Sequence, residues 1–390
     1  MLVGVVRETF PGERRVALTP MVVTELRRSG FGVVIEAGAG LGAGFPDRLY
    51  AEAGAEVVLD REEVFGRADI IAQVRGYGAN PEAGRRDLGY LRPGQVLVGF
   101  FEPIANPEAA VELASRGVTV FALELLPRIS RAQSMDALSS QATVVGYKGV
   151  LLAAEALPKM FPMLVTAAGT IKPAKVLVIG VGVAGLQAIA TARRLGAVVS
   201  AYDVRPAAKE EAESVGARFI ELGLETVEVE AGGGYAREMG EEFYRRQRQL
   251  LGDVLAEHDV VITAALVVGR RAPVLVTAEM VRRMRPGSVI VDLAAERGGN
   301  CEVSRAGETV EVDGVKVIGA VNLAATVPYD ASQMYGRNVG NFLRHVFGRG
   351  GPDFSEEITR ETLLVRAGEV VSGRVRQLLG LPPLVTKGTG

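Results

Sequence analysis

The chain is predicted to be an α/β protein built from two doubly wound, mostly parallel sheets with a cleft between them. Three observations lead there. Short apolar runs alternate with amphipathic segments before residue 128 and again between 175 and 319, the pattern of strands joined by crossover helices. A glycine-rich turn, Gly180-Val-Gly-Val-Ala-Gly185, stands where the apolar run Val176-Leu-Val-Ile179 passes into a helical pattern. The length of 390 residues suits two units of ordinary size.

The glycine turn is the most specific of the three. Gly180 permits the tight turn, Gly182 lets the backbone approach a pyrophosphate, and Gly185 lets helix and strand pack closely. The helix N-terminus that follows offers free amides and a partial positive charge to phosphates. Asp203 ends the next strand-like run and selects the cofactor. Its carboxylate can accept both ribose hydroxyls of NAD, whereas the 2′-phosphate of NADP meets like-charge repulsion. Arg205 could soften that repulsion. A Rossmann-like unit binding NAD is therefore expected; a tight turn without a ligand is the plainer alternative.

In the first unit, apolar runs at 3–6, 33–36, 70–74, 96–101 and 118–123 read as strands. Segments 20–29, 46–53 and 107–116 read as helices, the first with Thr19 as N-cap and Pro20 in its first turn. A helical pattern from Asp136 toward Leu157 bridges to the second unit. There, strands are expected near 175–179, 198–202, 217–221, 259–265, 288–292 and 315–319. Between them, 223–236 is acidic and ends in Gly232-Gly-Gly234 before Tyr235, which reads as a hinged flap. The helical pattern at 331–347 is expected to return to the first unit. The expected division is 1–137 with 326–390 around a nucleotide-binding unit at 138–325.

Composition excludes several functions. A net charge of −2 without a basic tract argues against nucleic-acid binding. A single cysteine, Cys301, leaves no internal disulfide framework and no cysteine-based metal site. The start, Met1 to Glu8, reads as a strand running into charge rather than a signal peptide, so a cytoplasmic, soluble chain is expected. No lysine precedes Lys148, and the histidines are His258 and His345, both read as packing or surface residues.

The richest candidate for chemistry is Pro127-Arg-Ile-Ser-Arg-Ala-Gln-Ser-Met-Asp-Ala-Leu-Ser-Ser-Gln141. Following a strand and preceding the bridging helix, it is expected to lie in the cleft, near the nicotinamide. Arg128 could hold a phosphate or carboxamide oxygen, Gln133 could bond the carboxamide, and Asp136 could orient Arg128 or a ribose hydroxyl. The local alternative has Asp136 or Ser139 capping the next helix and Arg131 solvated. Tyr235 could close over the nicotinamide or merely pin the flap.

This segment, with Arg14-Arg-Val-Ala-Leu-Thr-Pro20, Thr166-Ala-Ala-Gly-Thr170, Gly233-Gly-Tyr-Ala-Arg-Glu-Met-Gly-Glu-Glu-Phe243 and Pro286-Gly-Ser-Val-Ile-Val-Asp-Leu-Ala-Ala-Glu-Arg-Gly-Gly-Asn300, resembles the NAD(H)-binding component of proton-translocating NAD(P) transhydrogenases. The resemblance spans nearly the whole chain. The Arg-Val-Ala-Leu-Thr-Pro segment is shared with alanine dehydrogenase. The resemblance implies direct hydride transfer between NAD(H) on this chain and NADP(H) on a beta subunit. A membrane-spanning proton-channel subunit couples the transfer to proton movement. It also implies a homodimer, held at the inner membrane only through its partners. By the same resemblance, Arg128, Gln133, Asp136 and Ser139 hold the nicotinamide side. Val183, Ala184, Asp203, Val204 and Arg205 hold pyrophosphate and adenosine ribose. Gly234, Gln247 and Leu266 line the rest, with Tyr235 on the mobile loop.

Two other readings stand beside it: an alanine dehydrogenase-like amino-acid oxidoreductase, and a non-catalytic NAD-sensing module. Alanine dehydrogenases use a lysine and a histidine in the first unit, where Gln73 and Phe101 stand here; other transhydrogenases often carry lysine at the position of Gln73. Oxidising an amino acid sheds protons and uses a positioned base. Hydride exchange between two nicotinamides sheds none and needs orientation and water exclusion. The C-terminal residues carry no long apolar helices, so a separate soluble subunit is expected.

Overall fold

The computed structural model describes residues 1–223, 230–231, 235–236, 241–266, 271–348 and 350–384. The chain divides into two compact units, Met1–Gln141 with Ala324–Gly390, and Ala142–Leu323.

The first unit opens with strands β1 (Leu2–Val5), β2 (Gly32–Glu36), β3 (Glu56–Val58), β4 (Ile70–Arg75), β5 (Val96–Phe100) and β6 (Thr119–Ala122). The second holds β7 (Leu164–Thr166), β8 (Gly169–Ile171), β9 (Lys175–Ile179), β10 (Val198–Tyr202), β11 (Arg218–Phe219), β12 (Glu230–Ala231), β13 (Tyr235–Ala236), β14 (Val260–Thr263), β15 (Val289–Asp292), β16 (Thr309–Val312) and β17 (Val315–Gly319). The chain then returns to the first unit with β18 (Leu363–Arg366) and β19 (Glu369–Val370).

Both main sheets are wound alike. The first runs β3-β2-β1-β4-β5-β6 in parallel, with β18 and β19 added antiparallel at the edge. The second runs β11-β10-β9-β14-β15-β17 in parallel, with β16 antiparallel at the edge. Each sheet starts at its centre and reverses direction once, which opens a crevice at the carboxyl ends between β1 and β4 and between β9 and β14. The apolar runs follow from burial on both faces. In β9, Val176 and Val178 enter one core while Leu177 and Ile179 enter the other.

The expected strands and helices form, with ends shifted by a few residues. Thr19 does precede helix α1 (Pro20–Arg28), but its side chain makes no capping bond. Its hydroxyl is buried where this segment packs against Gly336 of the helix Pro328–Phe347. Short edge strands escaped the sequence reading. Two of them leave hairpins through consecutive left-handed residues, Asp313 and Gly314 between β16 and β17, and Ala367 and Gly368 between β18 and β19. Such pairs match the natural twist of a hairpin, and Asp-Gly was a usable signal.

The bridging helix, Ala137–Ala156, is a single element of 20 residues. A Cβ on its Gly146 would lie 2.1 Å from the carbonyl oxygen of Ala184, so this glycine forms a notch for the helix that follows the glycine turn.

Candidate dinucleotide site

The glycine turn joins β9 to the helix Val183–Arg194. Gly180 has φ +95°, and a Cβ there would lie 2.7 Å from the amide nitrogen of Ala265. A side chain on Gly185 would meet the carbonyl oxygen of Gly180 at 1.9 Å, so helix and strand end are in direct contact. Gly182 differs from both. A Cβ there would meet nothing within 4 Å, and Gly182 and Val183 are exposed. The first intrahelical bond runs from the Leu186 amide to the Gly182 carbonyl at 2.8 Å. The amides of Val183, Ala184 and Gly185 precede it at the positive end of the helix. Open backbone, helix amides and a nearby acid fit a dinucleotide pyrophosphate and ribose.

Asp203 follows β10 with a side chain only 8% exposed. Its Oδ2 accepts from the Val181 amide at 2.7 Å and from Arg205 Nη2 at 3.2 Å. Its Oδ1 accepts from the Arg205 amide at 2.9 Å and from Arg205 Nε at 3.1 Å. Arg205 Nη2 also donates to the Val181 carbonyl at 3.1 Å. The carboxylate thus braces the glycine turn, and Arg205 lies across it.

The loop after β14 is held from below. Asn300, fully buried, donates through Nδ2 to the carbonyls of Ala265 and Pro273 and accepts from the Ala265 amide. Asp292, at the end of β15, fixes Asn300 in turn, accepting from the amides of Ala294, Asn300 and Cys301 and from the Thr263 hydroxyl. Leu266 rides on this loop and is exposed. Gln247 is instead 1% exposed and donates to the Tyr202 hydroxyl at 2.9 Å, beneath the end of β10. Burial pushes the Tyr202 hydroxyl up to about 12. Gly234, most of the expected flap and the Tyr235 side chain lie outside the described residues. Val204 is partly buried between Asp203 and Arg205.

In the first unit, the 127–141 segment forms a 3-10 turn over Ser130–Met135. Ala132 and Met135 anchor it in the core, while Arg128 and Gln133 are exposed. The Ser134 carbonyl accepts from Asn338 and Asn341 at 3.0 and 2.9 Å. Asp136 caps the bridging helix, accepting from the Ser139 amide at 2.9 Å and the Ser139 hydroxyl at 2.5 Å. Arg131 pairs at the surface with Glu356 and Glu357.

The crevice of the first unit holds charged residues that the sequence reading did not single out. Glu8 Oε1 and Oε2 accept from the amides of Val74 and Arg75 at 2.6 and 3.1 Å. Burial, helped by the charge on Glu13, raises the Glu8 carboxyl to about 7. Glu13 pairs with Arg15 at 2.6 Å and Arg75 at 3.2 Å. Burial works to raise Glu13, but the hydrogen bonds and charge of Arg15 override it and hold the carboxyl near about 2. Arg15 also donates to Gln141 at 2.9 Å. Glu124 accepts from the amides of Phe101 and Glu102, and burial together with the Glu102 charge raises it to about 8. Gln73 donates to Asp87 at 3.3 Å, and Phe101 lies in the core. The absence of lysine and histidine therefore does not leave this unit without groups that titrate near neutrality.

Fold and site define the class: a two-unit α/β protein whose second unit carries a dinucleotide fingerprint at its switch point. The chain belongs to the alanine dehydrogenase/PNT family, whose N-terminal domain matches residues 4–145 and whose C-terminal domain matches 149–373. It is 46% identical over 344 residues to the first of the separate chains that make up the NAD(P) transhydrogenase alpha subunit of Rhodospirillum rubrum, covering 88% of this chain and 89% of that one. The alanine dehydrogenase of Bacillus subtilis is 32% identical over 342 residues, covering 84% of this chain and 81% of its own. A solved transhydrogenase structure from Sinorhizobium meliloti superposes with a TM-score of 0.84 at 44% identity, over 95% of this chain and 100% of that one. The cofactor is NAD(H). Among the described residues, no helix is long and apolar enough to cross a membrane.

Proposed function

We propose that the chain is the NAD(H)-binding alpha component of a proton-translocating transhydrogenase. In this role it supports direct hydride transfer between NAD(H) held here and NADP(H) held on a beta subunit. A membrane-spanning partner couples the transfer to proton movement, and the chain works at the cytoplasmic side of the inner membrane through those partners. The carrying observation is the 127–141 turn, anchored by Ala132 and Met135, which presents Arg128 and Gln133 outward. An arginine and an amide orient a ring without taking up a proton.

NAD(H), when bound, supplies the hydride chemistry. The amides of Val183 and Ala184 at the helix start receive the pyrophosphate, with Gly180, Gly182 and Gly185 clearing its approach. Asp203, Val204 and Arg205 form the ribose side. Arg128 and Gln133 orient the nicotinamide end, and Asp136 and Ser139 fix the turn that carries them. Gly234, Gln247 and Leu266 complete the pocket, and Tyr235 excludes water from above.

The test mixes the purified chain with a separately purified NADP(H)-binding subunit and follows reduction of an NAD analogue by NADPH. Transfer in the mixture, and none with alanine as the reductant of NAD, is expected. No transfer with both nucleotides bound would overturn the reading. A second copy of the chain is proposed to cover the β7–β8 hairpin, where Val165 is 74% exposed and Met163 59%. Sedimentation of the wild type as a monomer would remove that element of the proposal.

A further inference from the structure

We infer that Arg205 is a displaceable occupant of the ribose-accepting face of Asp203, and that its guanidinium must swing off before the adenosine ribose can bind. The inference rests on the reading that Asp203 takes that ribose.

A carboxylate offers about four lone-pair directions. In Asp203 every one is used. Two donors are main-chain amides, those of Val181 and Arg205, at 2.7 and 2.9 Å. They set the place of the carboxylate and last as long as the glycine turn keeps its shape. The other two donors are Nε and Nη2 of one guanidinium, at 3.1 and 3.2 Å. A ribose also presents two donors on one edge, its 2′- and 3′-hydroxyls. Guanidinium and diol therefore compete for the same pair of acceptor positions. The Arg205 and Asp203 side chains are only 7% and 8% exposed, which leaves no second acceptor edge open to water.

The guanidinium has a place to go. Glu211, on the helix Ala208–Ser214, stands 3.8 Å from the same Nη2 with its side chain 45% exposed. Swinging outward trades Asp203 for Glu211 without stranding a positive charge. The inward position keeps a buried carboxylate compensated while no nucleotide is bound, since an uncompensated buried charge is strongly destabilising. The arrangement carries a cost in affinity, because NADH binds only the fraction of molecules with the guanidinium displaced. It also bears on selectivity. A displaced guanidinium beside the ribose edge attracts a 2′-phosphate, so removing it leaves Asp203 alone to repel NADPH.

The experiment measures NADH and NADPH dissociation constants by calorimetry for wild type, Arg205→Gln, Asp203→Asn and Glu211→Gln, with thermal melts of each. Arg205→Gln is expected to bind NADH about threefold to tenfold tighter, by removing the unfavourable closed state. The same change weakens NADPH binding and lowers the melting temperature of the nucleotide-free protein. Glu211→Gln, at an exposed position, is expected to weaken NADH binding about twofold to threefold in the wild type and not at all beside Arg205→Gln. If Arg205→Gln weakens NADH as much as Asp203→Asn does, Arg205 is a fixed support or a direct nucleotide contact, and the proposal is wrong. Should Arg205→Gln fail to fold, an unchanged NADH affinity in Glu211→Gln overturns the proposal by itself. An Asp203→Asn variant that binds NADH like the wild type would show a different failure, that of the ribose reading underneath.

Discussion

The two units share one strand order and treat the same crevice in opposite ways. In the second unit, β9 turns at once through Gly180 and Gly182 into a helix, and the crevice is lined by backbone. In the first unit, the chain leaves β1 and wanders through Glu8, Glu13 and Arg15 before helix α1 begins. There Glu8 spans to the amides of β4, and Glu13 fills the space between two arginines. Strand order creates a place for a ligand; the first residues after the central strand decide whether a ligand or the protein's own side chains occupy it.

Glu13→Ala should produce the largest effect. It leaves Arg15 buried without its carboxylate and should cost the first unit about 3–5 kcal/mol in urea unfolding, with NADH affinity retained by molecules that remain folded. A large loss of NADH affinity in the folded fraction would break the division of labour between the crevices.

Gly185→Ala should come next, at about 1–3 kcal/mol from overpacking, because its methyl would overlap the Gly180 carbonyl oxygen. NADH binding should fall with it. Gly182→Ala sharpens the point: its methyl meets open space, so the melting temperature should hold while calorimetry shows weaker NADH binding.

Proton linkage separates the units further. The folded carboxyls of Glu8 and Glu124 are raised from 4.5 to about 7 and about 8. Between those values and 4.5 the folded chain holds protons that the unfolded chain has released. Stability from this source is therefore fully present below pH 4.5 and is lost as pH rises toward 7 and 8, by up to about 1.4 kcal/mol per pH unit for each group. Glu13 acts oppositely, its contribution being lost as pH falls from 4.5 toward about 2. Glu124→Gln should gain stability relative to wild type as pH goes from 5 to 8; a constant difference in melting temperature would contradict the protonated Glu124.

The smallest change is expected from Asp136→Ala, about 1 kcal/mol through loss of the cap, read by thermal melting.

Much of the architecture was legible because central parallel strands bury both faces and so appear as unbroken apolar runs, as in Val176–Ile179. Edge strands are half wet, and β3, β16, β18 and β19 carry no such run. The glycine turn was legible because each glycine answers a local demand. The hold of Arg205 on Asp203 was not, since it depends on the backbone turn between them. The cluster of Glu8, Glu13, Arg75, Glu102 and Glu124 was hidden for another reason. Its members are far apart in sequence and meet only through strand order.

The helix Pro328–Phe347 has a consequence for synthesis on the ribosome. It supplies Phe342 and Phe347 to ring contacts with Phe121, at 5.4 and 5.9 Å, and Tyr335 to the Gln73 carbonyl at 2.7 Å. All of the second sheet emerges before these side chains do. The nascent amino-terminal segment must therefore wait, with Phe121 uncovered, while the later-made sheet has every strand it needs. Translation pauses or chaperone contacts in that interval would act on the first unit's yield and spare the nucleotide-binding one.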